Sequence, residues 1–227
     1  MRLVVFDYDG TLVDSQAAIV GTMQDSFGEL GLAAPAPEAV RRVVGLALER
    51  AIDRLCLRPG EATADAALVA ALAAAYRRRF LALRSQQGIL HEPLFAGIRE
   101  ALAALARPER RFAIATGKSR RGLLAGLAGH GLAAQFQVLK TADDGPSKPH
   151  PDILQQAMRE TGVEPAETLM IGDTVFDIEM ARVAGAHALG VAWGVHGPHE
   201  LLAAGALAVA ARPSDLLNHV EALACAR

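Results

Sequence analysis

The sequence predicts an α/β fold, in which a parallel sheet is flanked by helices and a helical block is inserted after the first strand. The first observation is the apolar, β-rich run from Arg2 to Phe6, which suits the buried interior of a parallel sheet. The second is the stretch from Gln16 to Gln87, which shows helical periodicity and no convincing strand. The third is the alternation of strand-like and helical runs from Pro93 onward.

Each predicted element follows from a local pattern. The helical block begins after Asp14 and Ser15, which are candidate N-caps. Its helices are predicted at Gln16 to Leu30, Pro37 to Cys56 and Thr63 to Arg84, with breaks at Gly31 to Pro37 and at Arg58 to Gly60. Strands are predicted at Arg2 to Phe6, Arg111 to Ala115, Phe136 to Leu139, Thr168 to Ile171, His187 to Ala192 and Ala206 to Ala210.

The order of these elements predicts two domains. No second strand occurs before Arg111, so residues 16–87 are predicted as an all-helical insertion into an α/β core formed by residues 1–15 and 88–227. The two joints, near Val13 to Ser15 and Gln87 to Phe95, are hypothesised to act as a hinge.

Composition excludes several classes of protein. The 227 residues are 52% hydrophobic, which is ample for a core, and the net charge of −2 provides no basic field for nucleic acid or an acidic membrane. The apolar stretches are broken by charges and the N-terminus lacks signal-peptide features, so we expect no membrane partner and a cytoplasmic location. Cys56 and Cys225 form neither a disulfide framework nor a zinc pattern, so both are predicted to be reduced.

Two carboxylates follow the first predicted strand. Asp7 and Asp9 would stand at the crevice beyond the carboxyl ends of the sheet, where open α/β folds bind ligands. Like charges so close together repel, and a divalent cation with oxygen ligands relieves that repulsion. The alternative is a tight turn built on Asp9 and Gly10.

Three further signals lie at or just beyond predicted strand ends. Thr116 and Gly117 offer a hydroxyl and a flexible amide that suit an anion, and Lys148 could meet a phosphate from a stiff loop. Asp173 and Asp177 form a second acidic pair one helical turn apart. Taken singly, Thr116 could cap a helix, Lys148 could be a solvated charge, and Asp173 and Asp177 could stabilise a helix N-terminus. A purely structural role for all of them together is improbable.

The combined pattern resembles the haloacid dehalogenase superfamily, and within it the phosphoglycolate phosphatase group. The resemblance covers essentially the whole chain, and the helical insertion matches the superfamily's cap domain on a Rossmann-like core. Its motifs are Asp7-x-Asp9-Gly10-Thr11, Thr116, Lys148-Pro149 and Gly172-Asp173-x-x-x-Asp177.

The resemblance implies a mechanism by which the protein would hydrolyse the phosphate ester of a small metabolite. Asp7 would be the nucleophile that forms an aspartyl-phosphate, and Asp9 the general acid and base. Mg²⁺ would bind the Asp7 carboxylate, the main-chain carbonyl of Asp9 and Asp173, with Asp177 orienting that shell. Thr116, the amide of Gly117 and Lys148 would hold the phosphoryl oxygens.

Substrate choice is expected in the cap. The stretch from Arg41 to Arg50 resembles the cap's specificity segment, and Gly45 would allow the backbone to approach the substrate closely. Arg41, Arg42 or Arg50 could pair with a second anionic group, although arginines on amphipathic helices usually face water. Many relatives have proline where this chain has Ala47 and asparagine where it has Gly117, so the resemblance is weaker at these two positions.

Several alternatives stay open at this point. The first is a β-phosphoglucomutase-like phosphotransferase, the second a pyrophosphatase or 5′-nucleotidase variant, and the third a catalytically silent binding protein. The chain is expected to be a monomer or homodimer. His196 and His199 are interpreted as loop residues and Asp143 and Asp144 as turn residues, with metal roles as the lesser alternative.

Overall fold

A six-stranded parallel sheet organises the described part of the chain. The computed structural model describes residues 1–57, 59–88 and 92–225. The sheet order is β3-β2-β1-β4-β5-β6, and all pairings are parallel. The strands are β1 (Leu3–Phe6), β2 (Arg111–Ala115), β3 (Val138–Lys140), β4 (Thr168–Gly172), β5 (His187–Val191) and β6 (Ala208–Ala210).

Strand β1 is central because both of its faces are apolar. Leu3 and Val5 pack into one hydrophobic cluster, whereas Val4 and Phe6 pack into the cluster on the opposite face. Alternation of side chains across a pleated strand produces this division. Phe6 pairs with Ile114 of β2 and Ile171 of β4, so the carboxyl ends of these three strands lie level with one another.

Helices cover both faces of the sheet. Buried residues of α5 (Ile98–Leu105), α6 (Arg120–Gly129) and α10 (Leu216–Cys225) join the cluster of Val4 and Phe6. Buried residues of α7 (Asp152–Thr161), α8 (Val175–Val183) and α9 (Pro198–Ala204) join the cluster of Leu3 and Val5. These layers confirm the predicted α/β, Rossmann-like fold.

The segment between β1 and α5 contains a helical insertion. It consists of α1 (Gln16–Glu29), α2 (Pro37–Arg41), α3 (Leu48–Cys56) and α4 (Ala66–Gln87), which share a separate hydrophobic cluster. The buried members of that cluster are Val20, Met23, Phe27, Val40, Ile52, Leu72 and Ala73. We call residues 16–87 the helical insertion; their boundaries as a domain stay a prediction.

The prediction of one helix from Pro37 to Cys56 is wrong. The structure ends α2 at Arg41 and starts α3 at Leu48, and the intervening backbone turns at Gly45, whose φ is +94°. Only glycine adopts that conformation without strain, so the helix cannot run through it. The other predicted elements differ from the structure by a few residues at their ends.

Some sequence predictions fall partly outside the described residues. Arg58, in the predicted helix break, and residues 89–91, in the predicted second joint, are not among them. In the described ranges, no helix is both long and apolar enough to cross a bilayer. Cys56 is a free thiol.

Candidate active site

Asp7 lies at the carboxyl end of β1, where the order of the strands reverses direction. Its backbone N–H donates to the carbonyl of Ile171 at 2.9 Å, which continues the pairing with β4 and fixes the residue beside the crevice. The side chain is fully buried. Its Oδ1 accepts from the Tyr8 N–H at 2.7 Å and lies 3.0 Å from Lys148 Nζ. Its Oδ2 has no hydrogen-bond partner among the described residues.

Lys148 joins the first acidic motif to the last one. Its ammonium is completely buried and donates to Asp177 Oδ1 at 2.6 Å while it contacts Asp7. Burial alone would lower the pKa of Lys148, but the adjacent Asp177 and Asp7 raise it above its ordinary value. Asp177 is fixed by a capping box, since its Oδ2 accepts from the Thr174 hydroxyl at 2.7 Å and the Thr174 N–H at 3.1 Å.

Asp173 follows β4 and is held by two donors. Its Oδ1 accepts from the Thr11 hydroxyl at 2.8 Å, and its Oδ2 accepts from the Val195 N–H at 2.9 Å. A Cβ at Gly10 or Gly194 would lie 2.2 Å and 2.1 Å, respectively, from an Asp173 side-chain atom. Both positions therefore need glycine to make room for this carboxylate.

Three carboxylates form a compact acidic cluster. One oxygen from each of Asp7, Asp173 and Asp177 lies within 4.8 Å of the others, and all three residues are buried. Burial, opposed by Lys148 and reinforced by Asp177, raises the pKa of Asp7 to about 7. Burial and the charges of Asp7 and Asp177 raise the pKa of Asp173 well above its usual range.

The acidic cluster fits a divalent cation. Three buried carboxyl groups face the ammonium of Lys148, so their full ionisation would leave excess negative charge in the cluster. Asp7 Oδ2 has no hydrogen-bond partner among the described residues and is available as a ligand. Hard cations such as Mg²⁺ prefer oxygen donors of this type. The side chain of Asp9 does not belong to the cluster, so only its main-chain carbonyl is a candidate ligand there.

Asp9 is instead held by a lysine that the sequence analysis did not single out. Lys118 Nζ lies 3.0 Å and 3.2 Å from the two carboxylate oxygens of Asp9. The same ammonium pairs with Glu92, whose other oxygen accepts from Arg84 of α4 at 2.9 Å. Glu92 is completely buried. A lysine directly after the Thr116-Gly117 pair was the available signal, but its partners are far away in sequence.

The predicted phosphate-binding residues lie opposite the helical insertion. Thr116 is buried at the end of β2, and its Oγ1 accepts from the Lys118 N–H at 3.3 Å. A Cβ at Gly117 would lie 2.4 Å from the carbonyl oxygen of Gly45 and 2.6 Å from that of Leu46. A larger residue such as asparagine could not occupy this position unless the insertion moved.

A cavity of about 610 Å³ lies beside this contact and is lined by both the core and the helical insertion. Asp7, Asp9, Thr116 and Gly117 line it on the core side. The insertion contributes lining from α1, α2, α3, α4 and the segment containing Gly45. The predicted nucleophile and two of the three predicted phosphate-binding residues, Thr116 and Gly117, thus line one partly open cavity that can hold a phosphorylated ligand. Lys148 is not part of this lining and reaches the site through its contact with Asp7.

The three cap arginines proposed from the sequence lie outside the described lining of this cavity. Arg41 pairs with Glu38 at 3.0 Å, Arg50 pairs with Asp53 at 2.7 Å, and Arg42 pairs with Glu200. Their side chains are 42–61% exposed, and the ion pair that each one forms with a carboxylate explains its position. Gly45, in contrast, does line the cavity.

The other polar residues singled out in the sequence lie outside the acidic cluster. His196 is in the loop after β5, as interpreted, and its Nδ1 accepts from the Val175 N–H at 2.9 Å. The interpretation of His199 as a loop residue is wrong, because it lies exposed on α9, which begins at Pro198. Asp144 accepts from the Thr141 N–H and hydroxyl, as a turn residue does, and Asp143 accepts from the Arg120 N–H at 2.8 Å.

The sequence and the fold were compared with those of known proteins. The profile described as haloacid dehalogenase-like hydrolase matches residues 4–191. The chain belongs to this family. It is 34% identical over 224 residues to a probable phosphatase, IndB, from Dickeya dadantii, and the match covers 97% of this chain and 94% of that protein. It is 31% identical over 195 residues to a phosphoglycolate phosphatase from Thiobacillus denitrificans, covering 86% and 84% of the two chains.

The solved structures agree with this assignment. A hydrolase from Pseudomonas syringae superposes with a TM-score of 0.85 at 26% identity, over 98% of this chain and 99% of that one. The relatives confirm the predicted resemblance to the superfamily and to its phosphoglycolate phosphatase-like group.

Proposed function

We propose that this haloacid dehalogenase-family protein is a Mg²⁺-dependent phosphomonoesterase that hydrolyses a small phosphorylated metabolite through an aspartyl-phosphate on Asp7. One observation carries the proposal: Asp7 lines the cavity, its Oδ1 is fixed by Tyr8 and Lys148, and its Oδ2 is unshared among the described residues. A carboxylate with one oriented and one available oxygen is a suitable nucleophile for phosphoryl transfer, in which positioning matters more than basicity. The names of the phosphatase relatives support the same reaction.

The first step transfers the phosphoryl group to the enzyme. Asp7 Oδ2 forms a bond to phosphorus while the bond between phosphorus and the leaving oxygen breaks. Asp9 donates a proton to that oxygen, so the product leaves as a neutral alcohol. In the second step a water attacks the phosphorus of the aspartyl-phosphate and Asp9 accepts a proton from that water. The bond between phosphorus and Asp7 Oδ2 breaks, so inorganic phosphate leaves and the Asp7 carboxylate is restored. The ion pair with Lys118 holds both oxygens of Asp9 beside the cavity.

The remaining residues bind and orient. The Asp7 carboxylate, the Asp9 main-chain carbonyl and Asp173 would hold Mg²⁺, which when bound neutralises the repulsion between the carboxylates and the phosphoryl oxygens. Thr116, the Gly117 amide and Lys148 would hold the phosphoryl oxygens. Asp177 positions Lys148 through its 2.6 Å contact.

The test combines phosphate release with detection of the intermediate. Wild-type protein should release phosphate from a panel of phosphomonoesters with Mg²⁺ but not with EDTA, and acid quenching should trap phosphate on the peptide that contains Asp7. Asp7→Asn should abolish both signals, whereas Asp14→Asn, which alters an exposed carboxylate nearby, should keep them. Normal turnover by a folded Asp7→Asn protein would refute the assignment of the nucleophile. Transfer to a sugar hydroxyl without net phosphate release would instead indicate a mutase.

A further inference from the structure

The walls and charges of the cavity indicate which phosphomonoesters it accepts. We infer that the alcohol part of the substrate is an uncharged, largely apolar group of about the size of one ring, and not a small carboxylate such as glycolate. This inference rests on the proposed phosphatase function and concerns the leaving group alone.

The size of the cavity is the first argument. Its volume of about 610 Å³ lies within the range of about 300–1,000 Å³ that is usual for sites that bury drug-sized ligands. A phosphoryl group with a two-carbon carboxylate would leave much of this space to water. A ring-sized leaving group would displace that water from the reacting atoms.

The chemistry of the walls is the second argument. The insertion lines the cavity with Met23, Val43, Leu46, Leu48, Tyr76 and Phe80. The rings of Tyr76 and Phe80 are stacked, with centroids 5.6 Å apart and planes inclined by 19°. Apolar groups gain free energy on burial against such walls, while a carboxylate without a partner is penalised.

The third argument is that the cations contributed by the insertion already have acidic partners. Among the lining residues of α4, Arg77 pairs with Glu49, Arg78 pairs with Glu29, and Arg84 pairs with Glu92.

On the core side, the ammonium of Lys118 is shared between Asp9 and Glu92. Arg121 of α6 is exposed and also contributes to the lining. A carboxylate on the leaving group would therefore have to compete for a paired cation or reach Arg121.

The experiment compares three phosphate esters of primary alcohols, so that the leaving groups have similar chemistry: benzyl phosphate, ethyl phosphate and 2-phosphoglycolate. Phosphate release is measured with Mg²⁺ for the wild-type protein. We expect kcat/KM for benzyl phosphate to exceed that for each of the others by about tenfold or more, since even one methylene in an apolar pocket is worth about tenfold.

Two variants locate the effect. Phe80→Ala removes one face of the stacked pair, and Leu83→Ala is the matched control because Leu83 lies on the same helix but lines a different groove. Phe80→Ala should reduce the ratio of benzyl to ethyl kcat/KM about tenfold, while Leu83→Ala should leave it unchanged. Using the ratio cancels any uniform effect through Lys118, whose Nζ lies 5.1 Å from the centroid of the Phe80 ring.

The outcomes separate the two proposals. A preference for 2-phosphoglycolate, especially one lost in Arg121→Ala, would overturn the inference about the leaving group and leave the phosphatase intact. Equal rates for benzyl and ethyl phosphate in the wild-type protein would also overturn it. No Mg²⁺-dependent release from any ester would overturn the proposed function, and the inference with it.

Discussion

Replacing Asp7 by asparagine should stabilise the metal-free protein near neutral pH, although it should abolish turnover. Asp7 is completely buried beside Asp173 and Asp177, and among the described residues Lys148 is the cation that contacts these carboxyl groups. Sites that are arranged to bind a cation are commonly strained without it, because like charges then repel in a medium of low polarity. Asparagine removes one of those charges while keeping nearly the same shape.

The magnitude follows from the pKa of Asp7, which burial raises from an ordinary 3.8 to about 7. Between these two values the unfolded chain has lost the proton and the folded protein retains it, so the free energy of unfolding falls as pH rises through this window. The difference between the two pKa values corresponds to about 4 kcal/mol. The attraction of Lys148 already lowers this pKa, so the value of about 4 kcal/mol includes the contact that the variant loses. Because asparagine stands in for the protonated carboxyl, the net stabilisation at pH 7.5 should be about 4 kcal/mol.

Urea unfolding in EDTA, at several pH values from 4 to 8, measures this effect. The stability of Asp7→Asn minus that of wild type should increase as pH rises from 4 to 7 and then level off. Asp14→Asn provides the control, because it removes an exposed carboxylate from the same region, and its difference from wild type should vary little. A difference for Asp7→Asn that does not change with pH would refute the argument that the buried charge destabilises the folded state.

Three further predictions concern the metal, the general acid and the insertion. Millimolar Mg²⁺ should raise the thermal midpoint of the wild-type protein at pH 7.5 but barely that of Asp173→Asn, as followed by differential scanning fluorimetry; equal shifts would contradict the assigned ligand. Lys118→Met should lower the unfolding free energy by about 3 kcal/mol, because the buried Glu92 loses one of its cationic partners. It should also reduce kcat at least about tenfold, because Asp9 is no longer held in place. Unchanged kcat in the folded variant would exclude the positioning role of Lys118. Gly117→Ala should raise KM about tenfold, since its Cβ would meet a carbonyl of the insertion at 2.4 Å, whereas Gly28→Ala, where a Cβ meets nothing within 4 Å, should leave KM unchanged.

The location of the acidic motifs was predictable because it depends on local patterns. The apolar run of β1 and the rule that parallel strands end at one edge place Asp7 at a crevice, and the same rule places Asp173 there after β4. The level register of β1 and β4 then brings these two carboxylates together. Such a prediction needs only the period of the hydrophobic pattern and the order of the elements.

Contacts between distant segments were not predictable in this way. Lys118 reaches Glu92 and Asp9 across 26 and 109 residues of sequence. Its position directly after the Thr116-Gly117 pair is a local signal, but that signal does not identify these distant partners, and most lysines are solvated. The arginines near Gly45 illustrate the converse. Their stretch of sequence resembles the specificity segment of the family's cap, but each arginine is paired with a carboxylate outside the cavity lining. The cavity is lined instead by apolar residues between the arginines and by α4.

The two lysines explain how two aspartates separated by one residue can have different roles. Lys148 contacts one oxygen of the buried Asp7 side chain, and the other oxygen has no hydrogen-bond partner in the part of the chain that the structure describes, which suits attack on phosphorus. Lys118 contacts both oxygens of Asp9 at the wall of the cavity, which keeps that carboxyl in place between proton transfers. Because their surroundings differ, two carboxyl groups in one site can act separately as a nucleophile and as a general acid and base. If Asp9 were to take the role of nucleophile, it would have to lose its contact with Lys118. Glu92 holds Lys118 in position and is itself buried and paired with Arg84.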